Sequence, residues 1–340
     1  VYLAKKIIDM NPWADMVRFA RTGGEANAIA IRIARAATGK NNVAICGYHG
    51  WHDWYLSANI GSKNGLNTHL LPGLNPLGVP TNLEDTVFPF DYNNIEMLIE
   101  ICEHKDIGVI KMEVIRNIKP KDNFLQKVRD LATKRGIVLI FDECSSGFRE
   151  SFGGIFNNYS VYPDMAMFGK TIGNGYALTA IVGKESVMKS AQDTFISSTF
   201  WTERIGPTAA LKTLEVMQKI KSWETITEIG LKVRKGWNEL AKNNDLKISI
   251  SGIPALSSYS FEGVHNLEFH TYVTQEMLKK GFLAADRFYA CTEHNDEILA
   301  KYFDALNSVF RNINDITKSE KNINEFLEGP VRHSGFKKIN

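Results

Sequence analysis

The chain holds 340 residues, 40 Lys+Arg against 38 Asp+Glu for a formal charge of +2, with 44% hydrophobic and 23% charged residues. That length suits one large domain with an appendage or two domains sharing a core, and the apolar content excludes wholesale disorder. So small a net charge, with Lys and Arg scattered rather than clustered, offers no electrostatic footprint for nucleic acid.

The opening segment carries Leu3, Ile7 and Met10 at helical spacing. It begins with Val rather than Met and has no basic stretch and apolar core of a signal peptide, so the expectation is a chain processed or trimmed at its start. Short β-branched runs then alternate with longer segments of helical period. Strands are predicted at Met16–Phe19, Val43–Cys46, Gly108–Met112, Ile137–Phe141, Asp164–Phe168 and Leu178–Val182. Helices are predicted at Glu25–Thr38, Asn94–His104, Phe124–Arg135, Lys184–Gln192 and Ile205–Ile220. Between them, Ser57–Val87 is rich in Gly, Asn and Pro and reads as a long excursion. From about Ser222 the pattern changes to helix Thr225–Asn243, strands Leu246–Ser251 and Ala255–Glu262, then helices Asn266–Lys280 and Asp296–Asn312. The expected fold is α/β, a mostly parallel sheet with helices on both faces over residues 1–221, plus a smaller α+β domain over 222–340. Apolar runs such as Ile137–Phe141 are the length of a buried strand, far below the ~20 residues of a membrane helix. Cys46, Cys102, Cys144 and Cys291 form no CxxC pair, which argues against a disulfide framework or structural zinc and for a reducing, cytoplasmic setting.

Ligands of open α/β sheets sit beyond the carboxyl ends of the strands, so the residues there carry the functional reading. After the first strand, Thr22-Gly23-Gly24 opens a helix, where free backbone N–H groups and the helix dipole can cradle a phosphate. A plain strand-to-helix turn uses the same residues, and the run is neither a dinucleotide fingerprint nor a Walker loop. The second strand ends in Gly47-Tyr48-His49-Gly50-Trp51-His52-Asp53-Trp54, whose aromatics can stack on a planar ligand. His49, His52 and Asp53 do not have the spacing of a metal set, and no metal is expected. Strand Ile137–Phe141 delivers Asp142-Glu143, acids that are costly there unless paired with a protonated ligand nitrogen or a cation such as Arg149. The strand after it ends in Gly169-Lys170, where an amine can be desolvated and capture a carbonyl, or simply reach into water. Phosphate cradle, aromatic loop, strand-end acid and strand-end lysine are together the parts that pyridoxal phosphate requires.

On these stretches the chain resembles the class III aminotransferases of the pyridoxal-phosphate fold type I superfamily, close to glutamate-1-semialdehyde 2,1-aminomutase-like proteins. The matching segments are MVRFARTGGEANAIAIRIARAATGK, AICGYHGWHDW, GIVLIFDECSSGFRESFGG, PDMAMFGKTIGNGYALTAIVGK and STFWTERIGPTAALKTLEVM, with GFLAADRFYACTEH further on. The resemblance implies Lys170 as the lysine that forms a Schiff base with the cofactor and Asp142 as partner of its ring nitrogen. It implies Thr22, Gly23 and Gly24 at the phosphate, Tyr48 near the ring, and Ser145 near the pyridine hydroxyl. Thr199 would reach the phosphate of a neighbouring subunit, since such proteins are homodimers with shared sites. Glu203 and Tyr289 are candidates for substrate contact.

The departures are specific. Gly24 stands where the family usually has Ser or Thr, Cys144 where it has Val, and Glu113-Val114 where it has Glu-Pro. Tyr289 replaces an acid of the aminomutase, and Thr199–Glu203 replaces a shorter loop. Relatives carry an N-terminal segment not found in this sequence. The implied activity is transfer of an amino group from a small-molecule donor to a carbonyl acceptor. The alternatives are an intramolecular 2,1-aminomutase and a catalytically silent dimer of the same fold.

Overall fold

The computed structural model describes residues 1–61, 66, 73–115, 117–198 and 203–335. They form two compact units, Val1–Lys221 and a smaller one that starts at Ser222. The larger unit holds strands β1 (Met16–Ala20), β2 (Asn42–Cys46), β3 (Val87–Pro89), β4 (Ile107–Glu113), β5 (Val138–Glu143), β6 (Met165–Phe168) and β7 (Thr179–Gly183). Its helices are α1 (Tyr2–Met10), α2 (Gly23–Thr38), α3 (Asp53–Leu56), α4 (Ile95–His104), α5 (Phe124–Arg135), α6 (Glu185–Met188) and α7 (Ile205–Ile220).

One seven-stranded sheet runs in the order β1-β7-β6-β5-β4-β2-β3. The pairs from β6 across to β3 are parallel, while β7 runs antiparallel to both β1 and β6. The carboxyl ends of β1, β2, β4, β5 and β6 therefore open on one edge. Every residue of β4, β5 and β6 is buried, which is why their sequences read as unbroken apolar runs rather than alternating ones. α2 covers one face, setting Ala26, Ala30, Ile33 and Ala34 against Ile45, Val109, Ile140 and Met167. The helix starts at Thr22, whose hydroxyl accepts from the Glu25 amide, and stops at Gly39, which takes the left-handed φ of +66°.

Some boundaries differ from the sequence reading, each for a local reason. The predicted helix Lys184–Gln192 breaks into α6 and a 3₁₀ turn, Lys189–Ala191, which keeps Val187, Met188 and Ala191 on the buried side. β3 was not expected, being three residues ending in a proline, which a sheet tolerates at its edge. Of the long excursion Ser57–Val87, the described parts hold 3₁₀ turns at Ser57–Asn59 and Thr81–Leu83.

The smaller unit comprises α8 (Ser222–Asn243), β8 (Ile248–Ile253), β9 (Leu256–Phe261), α9 (Asn266–Lys279), β10 (Arg287–Tyr289) and α10 (Asp296–Lys318). Its strands form an antiparallel sheet in the order β10-β9-β8. Trp237, Tyr259, Val273, Leu306 and Phe310 make its core. α10 passes the predicted end at Asn312 because Ile313 and Ile316 continue its buried stripe. No helix among the described residues is long and apolar enough to cross a membrane.

Candidate active site

The sheet edge gathers most of the residues singled out in the sequence. Thr22 ends the turn after β1, and Gly23 and Gly24 form the first turn of α2, whose leading N–H groups have no partner within the helix. The loop after β2 folds onto this turn, so that a Cβ on Gly50 would lie 3.3 Å from the Gly24 Cα. A Cβ on Gly24 would meet the His52 ring at 2.9 Å, whereas one on Gly23 would meet nothing within 4 Å. His52 thus occupies the room that a hydroxyl-bearing side chain at position 24 would need. That is a steric reason for a glycine at this position. The Thr179 hydroxyl, at the start of β7, reaches the Thr22 carbonyl at 3.4 Å and ties this turn to the sheet.

Tyr48 is half-buried, with its ring edge-on to Tyr55 at 6.0 Å between centroids. Its backbone N–H donates to Glu113 Oε2 at 3.0 Å, so the acid at the end of β4 anchors the aromatic loop. The same carboxyl explains Gly47, at φ +117°, where a Cβ would lie 2.7 Å from Glu113 Oε2. The sequence left the role of Glu113 open, and the geometry supplies one.

Asp142, near the end of β5, is buried. Its Oδ2 accepts from His49 Nδ1 at 2.9 Å and lies 3.5 Å from Lys111 Nζ, and its Oδ1 accepts from the Cys144 amide at 3.1 Å. Its cationic partner is therefore Lys111 of β4, where the sequence suggested Arg149. Burial pushes the Asp142 carboxyl up, but the Lys111 ammonium and the two hydrogen bonds more than reverse this, holding it far below the usual carboxylate range. Strand alternation sends the neighbouring Glu143 the other way, where Ser146 Oγ donates to it at 2.5 Å and the Phe156 amide at 3.2 Å. Burial pushes that carboxyl up to about 8. The adjacent acids thus end in opposite states, one a fixed anion and the other protonated near neutrality.

His49 is also fully buried, and burial lowers its pKa against the pull of Asp142. Donating Nδ1–H to Asp142 leaves Nε2 as an acceptor, and that atom is buried without a partner. The ring is therefore expected to stay neutral and Nδ1-protonated at pH 6.5, where an ordinary imidazole is half protonated. Nitrogen NMR of the imidazole checks this, and a ring that titrates near 6.5 contradicts it.

Lys170 follows β6 and is solvent-exposed, one of the two settings the sequence left open for it. Its Nζ donates to Ser145 Oγ at 2.5 Å, which joins the loops after β5 and β6. Those loops also meet at Gly169, where a Cβ would come 3.1 Å from Cys144 Sγ. Nearby Phe148 takes a left-handed φ of +64°, held by packing on Phe152 and Phe168.

The substrate candidates have other surroundings. Both Glu203 oxygens accept backbone amides, from Ile205 at 2.7 Å and Gly206 at 3.0 Å, so the residue caps α7. Tyr289 belongs to β10 in the smaller unit and is exposed, lining an open cleft of about 660 Å³ with Phe288, Arg287 and His294. Thr199 lies outside the described residues. Among the described residues, no three His, Cys, Asp or Glu side chains converge as a metal site.

Sequence reasoning missed Lys111 and gave His49 no role beyond a loop hydrogen bond. A signal existed for the first. A lone Lys inside the apolar run Gly108 to Met112 must find a buried anion, and Asp142 is the strand-end acid on the next strand.

Comparison with known proteins places these features in context. The profile of the family described as Aminotransferase class-III matches residues 1–287. The chain is similar to a 3-aminobutyryl-CoA aminotransferase of Cloacimonas acidaminovorans, 33% identical over 318 residues, which span 89% of this chain and 73% of the relative. It is similar also to a glutamate-1-semialdehyde 2,1-aminomutase of Methanococcus maripaludis, 29% identical over 92% of this chain and 78% of the relative. Among solved structures, it matches the PLP internal aldimine form of the Sphingopyxis sp. MTA144 FumI protein, with a TM-score of 0.82 and 21% identity, over 94% of this chain and 76% of that one. An omega-transaminase from Sphaerobacter thermophilus matches with a TM-score of 0.80 and 23% identity, over 91% and 77%. These two likenesses show a shared fold, the mostly parallel sheet with a smaller second unit.

Proposed function

The chain belongs to the class-III aminotransferases, pyridoxal-phosphate enzymes that transfer amino groups, and from that premise we propose that Lys170 carries the transfer here, between a small-molecule amino donor and a carbonyl acceptor. The observation behind this reading is the pairing of two unlike groups at one sheet edge. The Lys170 amine is held by the Ser145 hydroxyl at 2.5 Å, and three residues before Ser145, near the end of β5, stands the buried Asp142, whose carboxyl the Lys111 ammonium and its hydrogen bonds hold far below the usual carboxylate range.

The residues present fit the cofactor by their chemistry. A dianionic phosphate suits the first turn of α2, where Thr22, Gly23 and Gly24 supply N–H groups and the positive end of the helix dipole. A basic ring nitrogen suits Asp142, whose carboxyl the Lys111 ammonium and the His49 and Cys144 hydrogen bonds hold far below the usual carboxylate range. The aldehyde suits Lys170. Bound pyridoxal phosphate supplies a carbonyl that amines capture and a ring that draws electrons from the bond being broken. Within that chemistry Asp142 holds a proton at the ring nitrogen, while His49 and Lys111 keep its carboxylate charged and oriented. The Lys170 amine, once free, would take a proton from the carbon bearing the donor's amino group and deliver it to the cofactor's former aldehyde carbon in the same half-reaction, and would carry out the reverse transfer for the acceptor. Ser145 orients that amine, and Tyr48 borders the ring from a loop pinned by Glu113.

The finer assignments follow the resemblance and are proposals of the same kind. Residues 1–221 form the cofactor-binding domain and 222–340 the small domain. The enzyme acts as a cytoplasmic homodimer in which Thr199 reaches the partner's phosphate. Its four cysteines are free, as a reducing compartment allows. Glu203 and Tyr289 stand as candidates for substrate contact, the first through the end of α7 that it caps.

A transferase needs two substrates in turn. With saturating amino donor and no acceptor, the loaded enzyme is expected to release about one equivalent of carbonyl product per site and stop, and steady-state plots to be parallel, as in a ping-pong scheme. Similarity to the glutamate-1-semialdehyde 2,1-aminomutase favours the one alternative in which a single substrate is both donor and acceptor. Sustained turnover on one substrate alone would decide for it.

A further inference from the structure

The charged side chain with the least obvious reason to exist is Lys111. It stands inside β4 between Ile110 and Met112, and neither it nor those neighbours is accessible to solvent. Register places it opposite Ile45 of β2 and Ile140 of β5, on the face that α2 covers. Its amine lies 3.0 Å from the Met167 sulfur and 3.5 Å from Asp142 Oδ2. An apolar residue would fill this space among Ile45, Val109, Ile140 and Met167 at no electrostatic cost, whereas a buried ammonium is expensive unless a counter-charge faces it. Packing therefore does not account for the lysine, but the carboxylate does.

Given the reading of Asp142 as partner of the cofactor's ring nitrogen, on which this inference rests, one carboxylate serves two cations. We propose that Lys111 is a positioning residue of the active site: its ammonium holds Asp142 ionised and oriented from inside the sheet, and shares that carboxylate's charge with the protonated ring, so that the loaded site binds its proton less tightly than Asp142 alone would allow. Among the described residues, few groups face this amine. Asp142 comes from β5, Cys144 from the loop beyond it, Glu113 from β4 itself, His49 from the loop after β2, and the Met167 sulfur from β6. Burial lowers the lysine's own pKa and Asp142 is the largest influence opposing it. The two groups depend on each other. Among the described residues, Lys111 has no other hydrogen-bonded or ion-paired carboxylate, and Asp142 no other ammonium.

The test uses Lys111→Met, which matches the side chain in length, and Lys111→Gln, which keeps a donor toward Asp142 while removing the charge. Each protein is loaded with pyridoxal phosphate, and its visible band is titrated with pH. Removing a cation beside the carboxylate makes the site more negative, so the midpoint is expected to rise by about 1 pH unit in both variants. In the cofactor-free protein, Lys111→Met and Asp142→Asn are each expected to lower the melting temperature, and the double variant to recover most of the loss, because a neutral pair strands no charge. If wild type and variants all carry the cofactor on Lys170 and the midpoint does not move, the lysine is structural only and the proposal falls alone. If wild type itself forms no borohydride-stable adduct at Lys170, the reading of the site falls and takes the proposal with it.

Discussion

Replacing Lys170 with Ala is expected to lower kcat by at least about 10³-fold, since proton relay alone contributes about 10²–10⁴-fold and the same amine also captures the carbonyl. The protein should stay folded. Lys170 is solvent-exposed and, among the described residues, its side chain makes one hydrogen bond, to Ser145, so truncation leaves no cavity and strands no buried charge. Circular dichroism and melting temperature should match wild type while donor-dependent release of carbonyl product disappears. A small amine added to the solution should restore part of the rate, because it can replace the missing base. Undiminished turnover in a folded Lys170→Ala protein would remove the residue from the mechanism.

The second large effect falls on Asp142, and there activity and stability move together. Asp142→Ala leaves the Lys111 ammonium buried without its counter-charge, a loss of about 3–5 kcal/mol for a buried pair broken on one side. It also removes the acceptor that fixes the His49 tautomer. Asp142→Asn separates the two consequences, since it keeps the shape and removes the charge. Its proton-removal step is expected to slow by about 10²–10³-fold, the usual scale for losing one preorganised electrostatic partner. Cofactor retention should weaken by about tenfold or more, as an interaction of about 1.4 kcal/mol would require. Stopped-flow absorbance with an amino donor measures the first, and dialysis against buffer lacking cofactor the second. Wild-type rate and retention in Asp142→Asn would mean that the carboxylate faces something other than a ring nitrogen.

Much of this site was legible before any coordinates, and the reason is geometric. A parallel sheet delivers every strand end to one edge, so a reader who finds the strands has also found Thr22, Asp142 and Lys170. Unbroken apolar runs such as Ile137–Phe141 mark buried strands unmistakably. What could not be read were relations across strands. Nothing in the spacing of Gly47, Tyr48 and Glu113 says that the acid holds the Tyr48 amide, nor that His49 turns inward to Asp142 rather than outward. The exchange of a side chain at position 24 for the His52 ring is invisible for the same reason, because it is a matter of shared volume between two loops. Lys111 is the intermediate case. Its oddity is plain in the sequence, but its partner depends on a diagonal pairing between β4 and β5 that only register reveals.

The same logic sorts the two acids at the end of β5. Composition treats Asp142 and Glu143 alike, yet strand alternation gives one a lysine and a histidine and the other a serine hydroxyl and backbone amides. The outcome is a carboxylate held far below its ordinary pKa beside a carboxyl pushed up to about 8. Only the first can pair with a cationic ring at neutral pH. Glu143 serves the loop that carries Ser145, through Ser146 and Phe156, and so helps to place the hydroxyl that meets Lys170.

One measurement tests directly whether Lys170 takes the cofactor. The purified protein is mixed with pyridoxal phosphate, its visible spectrum recorded, and the sample reduced with borohydride and mapped by peptide mass. A yellow band that reduces to a phosphopyridoxyl group on Lys170 is the predicted result. An adduct on a different lysine, or no band at all, would contradict the account and leave a catalytically silent member of the fold as the better description.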